Sequence, residues 1–317
     1  MPILNNYKSF GGRHWETGSV HNVLNFQGAL APHTGKPYSE EFLLGISGGI
    51  TFGYFTFHYS GLEPQLALLT RNTFDPFQTL LERLGLAQEV LQSARAEKGL
   101  SNLNKVLEEG KAAIVWADTF SMPYEAHNSR ADYWAMYPLV VFGHDGESAN
   151  IADRAGVPFT VSAEELNIAR ARVKKDKFRV VSIDAPNEEK LVRSTNLAIW
   201  QCIRIFTEAP PKGTQRNFGF SAYHHWANML NNQRNKQSWT RFFAAESGHF
   251  SAIAGFGPFP GLLDWIDAWG DGGAERARDL PPIVGPVAML HQPAELVKVP
   301  AGKWLDLGLC SPVHCGV

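Results

Sequence analysis

Residues 12 to 28 read GRHWETGSVHNVLNFQG, and this run sets His14, Glu16, Thr17 and Ser19 close together. An imidazole, a carboxylate and two hydroxyls in such a cluster are the materials of acid/base or acyl-transfer chemistry. Val20, Val23 and Leu24 recur at helical spacing and Gly28 ends the run, so a helix is predicted, with Thr17 and Ser19 supplying capping oxygens. A helix start favours an oxyanion or a thiolate, because its N–H groups are unpaired and its dipole end is positive. Where a cysteine or serine nucleophile would be expected, this chain has Trp15.

Simpler uses compete with each candidate. Helix capping accounts for Thr17 and Ser19, while Glu16 beside His14 can form an acid/base pair without covalent catalysis; His21 and His144 are further candidate bases. Asp118 at a strand end and Asp145 in a hairpin turn fit turn formation. Cys202 lies among Ile199, Ile203 and Phe206 on a predicted helix and reads as a buried structural thiol. The consecutive His224 and His225 point to different helix faces, and Cys310 and Cys315 flank His314 without a second ligand pair. Neither cluster calls for a metal, and no cofactor is expected. The 9 tryptophans can line an aromatic pocket for a flat or amphipathic ligand, although core packing is the simpler account.

The elements that must position these groups follow from periodicity. Ser39 and its acidic neighbours start a second short helix; ISGGITFGYFTFHY, from residue 46, reads as a glycine-rich loop entering a strand. Its GGxxxG spacing lacks the lysine of a phosphate loop, so close backbone packing is expected there. Residues 74 to 92 carry Phe77, Leu80, Leu81 and Leu84 at helical spacing, and residues 100 to 109 read as another helix. Strands are expected over 111 to 120 and in a hairpin whose turn is HDGE, joining Leu139–Phe142 to Asn150–Ala152. Ser162 and Glu165 form a capping box before a helix, KFRVVSIDAP is a last strand, and two helices follow Asn187. This is an α+β pattern with a boundary near residue 185: residues 1–185, then a mainly helical 186–317 whose tail after 279 is irregular.

With 44% hydrophobic and 19% charged residues and a formal net charge of −2, the composition is that of a soluble globular protein. The short interrupted basic run from Arg170 to Lys177 argues against nucleic-acid partners. No apolar run is long enough for a signal peptide or a membrane span, and 3 cysteines are too few for a disulfide framework; a cytoplasmic location is expected.

The order GRHWETGSVHNVL, YSEEFLLGISGGITFGYF, ADTFSMPY, YPLVVFGHD and IADRAGVPFTVSAEEL resembles the N-terminal domain of the butirosin biosynthesis protein H family, and the part from NEEKL resembles the helical domain that accompanies it. The resemblance implies a papain-like cysteine peptidase/acyltransferase fold, used in secondary metabolism to move an acyl group from a carrier thioester onto an amine. It places the nucleophile at Trp15, the histidine at Tyr137 or a neighbour, and the orienting acid at Asp153. Neither an indole nor an unperturbed phenol of pKa about 10 supplies the missing chemistry. Trp15 and Tyr137 are expected to stack and fill the cleft, with Thr17, Ser19, Asp118 and His144 lining it and Asp153 a candidate partner for their polar hydrogens.

Two functional readings come from this. One is a divergent enzyme for acyl transfer or amide chemistry that uses Asp153, Tyr137, Glu16 and His14. The other is an inactive relative that binds a small molecule or acyl-carrier thioester in the former cleft. A homodimer through the helical domain is a further possibility.

Overall fold

The computed structural model describes residues 2–57, 65–71, 75–125, 135–173, 177–208, 214, 216–232, 234, 235, 238 and 251–255. The tail after residue 279, with Cys310, His314 and Cys315, lies outside them.

The elements run α1 (Trp15–Phe26), β1 (Leu30–Ala31), β2 (Lys36–Pro37), α2 (Glu40–Ile46), β3 (Ile50–Phe57), β4 (Gln65–Arg71), α3 (Pro76–Leu84), β5 (Gln88–Leu91), α4 (Ala96–Glu108), β6 (Ala113–Asp118), β7 (Met136–His144), β8 (Ser148–Ala152), β9 (Phe159–Ser162), α5 (Ala163–Ala171), β10 (Val180–Ile183), α6 (Leu191–Thr207), α7 (Gly219–Asn231) and β11 (Ser251–Gly255). Six strands form an antiparallel sheet in the order β5-β10-β6-β7-β8-β9. The α+β class expected from the sequence is what the structure shows.

Helix α1 packs along β7, while α5 packs across β6, β8 and β9. All side chains of β6 are buried, which requires cover on both faces of the sheet. Val20, Val23 and Leu24 of α1 meet this core beside Leu139 and Val141 of β7 and Ile114 and Val115 of β6. The Asp145 carboxylate accepts from the N–H groups of Glu147 and Ser148, so the HDGE turn closes the β7–β8 hairpin as read.

One expectation is corrected. The run 74 to 92 is not one helix: Gly85, at φ +63, ends α3, and Gln88–Leu91 becomes an edge strand paired with β10. The strand from Ile50 belongs to a second, three-stranded sheet, in which β4 is antiparallel to β3 and parallel to β11. Helix α6 packs on α2, α3 and β3, and α7 packs on β3. Among the described residues no helix is long and apolar enough to cross a membrane.

Candidate functional site

Helix α1 starts at Trp15, one turn earlier than hydroxyl capping would set it. Its N-cap is His14, whose Nδ1 accepts the Glu16 N–H at 3.3 Å. Thr17 and Ser19 are therefore not caps but interior residues with structural bonds: Thr17 Oγ1 donates to Glu40 Oε1 at 2.8 Å, and Ser19 Oγ donates to the Pro138 carbonyl at 3.3 Å. The loop before the helix can lie this close because Gly12 rests on Gly18, where a Cβ at Gly12 would collide with the helix backbone.

Glu40, at the first position of α2, organises the helix start. Its carboxylate accepts the N–H groups of Arg13 at 2.6 Å and His14 at 2.9 Å besides the Thr17 hydroxyl. Arg71, from β4, donates to Thr17 Oγ1 at 3.0 Å and stands 3.7 Å from Glu40. Burial of that guanidinium brings its pKa down to about 10, and it stays a cation at neutral pH. The N–H groups of Arg13 and His14, which precede the helix, are thus already taken by a carboxylate.

Trp15 lies flat on Tyr137 with ring centroids 3.3 Å apart and planes 5° from parallel. The indole is 3% exposed, His14 meets it edge-on, and the Arg154 guanidinium carbon is 4.9 Å from its centroid. Its Nε1 has no hydrogen-bond partner among the described residues. Burial and the nearby Glu16 push the Tyr137 phenol up to about 12, so it is protonated at neutral pH. The pair fills the positions that the resemblance gives to nucleophile and base.

Asp153 does not reach the Trp15 indole as a hydrogen-bond acceptor. Its carboxylate accepts from Arg154 Nε at 2.7 Å and NH2 at 2.8 Å and from the Tyr124 hydroxyl at 3.0 Å. Arg154 also donates to Glu125, and its φ of +47 puts it in the left-handed region, the turn that follows β8. The acid is thus held in an ion pair below the aromatic stack, where it orients no base.

Two titratable groups remain. Burial, helped by Arg71 and Arg154, holds the His14 imidazole well below its ordinary value and therefore neutral. The half-buried Glu16 has its carboxyl pushed up to about 7, first by burial and then by Asp75, with Arg71 opposing. No hydrogen bond to its carboxylate is formed among the described residues.

Asp118 and His144 stand apart from this group. Asp118 is opposite Met136 in the β6–β7 register, so it shares that residue's face and not the face of Tyr137, whose partner is Ala117. There it accepts from Arg172, Ser121 and the Ala135 N–H. His144, at the far end of β7, is buried near Arg170 of α5. Sequence reasoning missed Glu40, Arg71, Tyr124 and Arg154 as site residues. Arg154 adjoins Asp153 and could have been found by that adjacency; Glu40 was visible only as a helix-start acid, and nothing near Arg71 in the sequence signals its role.

In the site, the first residue of α1 faces β7, and an acid lies on the turn after β8. Residues 14–154, less than half of the chain, match the family Butirosin biosynthesis protein H, N-terminal. The resemblance read in the sequence and the site as built thus concern the same residues. Among solved structures, the chain is similar to one described as a C39-like peptidase from Bacillus anthracis, at 13% identity and a TM-score of 0.35, over 59% of this chain and 99% of that one. No curated protein matches.

Proposed function

We propose that this chain is a non-catalytic relative of the papain-like acyltransferases and peptidases, which binds an acyl-bearing small molecule or carrier partner and does not transfer the acyl group. The observation that carries the reading is the Trp15–Tyr137 stack, which occupies the nucleophile and base positions with two groups that are unreactive at neutral pH. Two further facts support it: Asp153 is consumed by Arg154 and Tyr124, and the hydroxyls of Thr17 and Ser19 are spent on Glu40 and Pro138.

The test is intact-mass spectrometry after exposure to a panel of acyl-pantetheine thioesters, with the double variant Trp15→Cys, Tyr137→His alongside. The unmodified protein is expected to gain no mass and the double variant to gain one acyl group. An acyl adduct on the unmodified chain would overturn the reading, and no adduct on either would remove thioesters from it.

One observation favours a second reading, in which Glu16 performs acid/base chemistry without a covalent intermediate. Its carboxyl is poised at about 7 and lacks a hydrogen-bond partner among the described residues. That reading requires turnover of an activated ester with a pH profile breaking near neutrality, abolished by Glu16→Gln.

A further inference from the structure

Helix α5 carries a charge where its pattern calls for a hydrocarbon. Leu166, Ala169, Arg170 and Val173 recur at i, i+3, i+4 and i+7 along the helix and just past its end, and all four are buried. The three apolar ones belong to the core, so Arg170, 3% exposed, points inward with them. Arg172 is the contrasting case, exposed and 2.9 Å from the Asp118 carboxylate.

No counter-charge meets the Arg170 guanidinium among the described residues. Its Nε and Nη2 have no hydrogen-bond partner, and burial alone brings its pKa down to about 10, which leaves it a cation at neutral pH. Acids on the neighbouring elements are engaged elsewhere. Asp118 serves Arg172, Ser121 and the Ala135 N–H, Asp145 serves its own turn, and Glu165 serves the Ser162 cap. What does reach Arg170 is the ring of Phe178, its centroid 5.6 Å from Cζ. Phe178 has a φ of +49, uncommon for a bulky residue, and a Cβ on the adjoining Gly99 would come to 2.4 Å from the Phe178 Cβ. The fold thus holds an aromatic face over the guanidinium, and a π face attracts a cation without neutralising it.

His144 adds a second idle group. Its imidazole is 2% exposed, and its Nδ1 has no hydrogen-bond partner among the described residues. Burial and then the charge of Arg170, against Asp145, hold its pKa below the ordinary value, so it is neutral and near enough to feel that cation. Water at this place would take up hydrogen bonds and leave the charge unpaired. A divalent anion would exchange one unpaired charge for another. A small monovalent anion meets both needs, accepting from the guanidinium and the imidazole and cancelling the single buried charge.

We propose that Arg170 and His144 hold a small monovalent inorganic anion, of the size and charge of chloride, at the inner face of α5. Arg170 donates to it through Nε and Nη2, and neutral His144 donates through Nδ1–H. The site is separate from the Trp15 cleft and does not depend on what that cleft binds.

The probe is chloride, exchanged for gluconate at constant ionic strength, with urea denaturation of the full chain and the chloride NMR line width as readouts. Stability is expected to rise saturably with chloride, the folding equilibrium constant growing about elevenfold when chloride reaches about ten times its dissociation constant. Bromide and nitrate should replace chloride, and bromide should remove the excess line width. Arg170→Met should abolish the chloride dependence and be at least as stable as the parent in gluconate, since it removes a buried charge that gluconate is too bulky to pair. His144→Phe keeps the guanidinium and should weaken chloride about fivefold, which keeps the test valid if the methionine variant folds poorly. The proposal is overturned if the parent is equally stable in chloride and gluconate, the result an internal water would give. It is also overturned if Arg170→Met keeps the parent's chloride dependence, or if His144→Phe binds chloride as tightly as the parent.

Discussion

Glu16 and His14 are neighbours whose protonation pulls stability in opposite directions. The Glu16 carboxyl titrates near 7 in the folded chain and near 4.5 when unfolded, so between those values the folded state holds a proton that the unfolded state has released. Stability therefore falls as pH rises from about 4.5 to about 7. His14 is held neutral in the fold and gains a proton freely when unfolded, so its contribution is present above its ordinary value of 6.5 and is lost as pH falls below it. Glu16→Gln removes the first effect and leaves the second. The variant is expected to exceed the parent by about 2 kcal/mol at pH 8, after allowance for partial exposure, and to match it near pH 4. Urea denaturation at pH 4, 6 and 8 measures this, and a variant no more stable than the parent at pH 8 would mean that Glu16 is solvated in the fold.

At the scale of elements, α2 fixes where α1 begins, and the link is one carboxylate. Replacing Glu40 with glutamine keeps its size but removes the charge that faces Arg71, and a single amide oxygen must then serve Arg13, His14 and Thr17. A loss of about 3 kcal/mol is expected, because a buried arginine is left without its counter-charge. Adding Arg71→Met should recover part of it, and urea denaturation of the four-member cycle reports the coupling. This link was not legible in the sequence, where Ser39 and its two acids announced only a helix start. Local signals were read correctly where the partners are near in the chain: the Ser162–Glu165 capping box and the Asp145 turn both formed as their residues imply. Signals failed where partners are remote. Strand β5 shows no alternation of burial, and only β10, far along the chain, makes it a strand. The Trp15–Tyr137 stack was legible through the family resemblance, but the capture of Asp153 was not. It depends on Arg154 adopting a left-handed backbone that no neighbouring residue type demands.

Across the whole molecule, the helices after residue 186 are tied into the same body as the strands that precede it. Tyr54 of β3 is fully buried; its N–H donates to the Asn217 carbonyl at 2.9 Å, and Asn217 Nδ2 donates to the Tyr54 carbonyl at 2.7 Å. Phe218 bridges to Gly53 in the manner of a strand, and its ring meets Phe55 edge-on. Phe52 stacks on Tyr223 of α7 at 3.9 Å. Helix α6, which also contacts β3, buries Leu191, Ser194, Ala198 and Ile205 and so shares the burial of α2 and α3. Neither part can unfold without exposing apolar surface and orphaned backbone groups on the other, since β3 has its hydrogen bonds divided between β4 and the approach to α7. The described chain should therefore melt as one cooperative unit, although the character of its sequence changes near residue 185. Scanning calorimetry is expected to show a single transition whose calorimetric and van't Hoff enthalpies agree, and Asn217→Ala should lower its midpoint without splitting it. Two resolved transitions, with only the later one moved by Asn217→Ala, would place the energetic boundary at the sequence boundary and make the contacts across β3 incidental to folding.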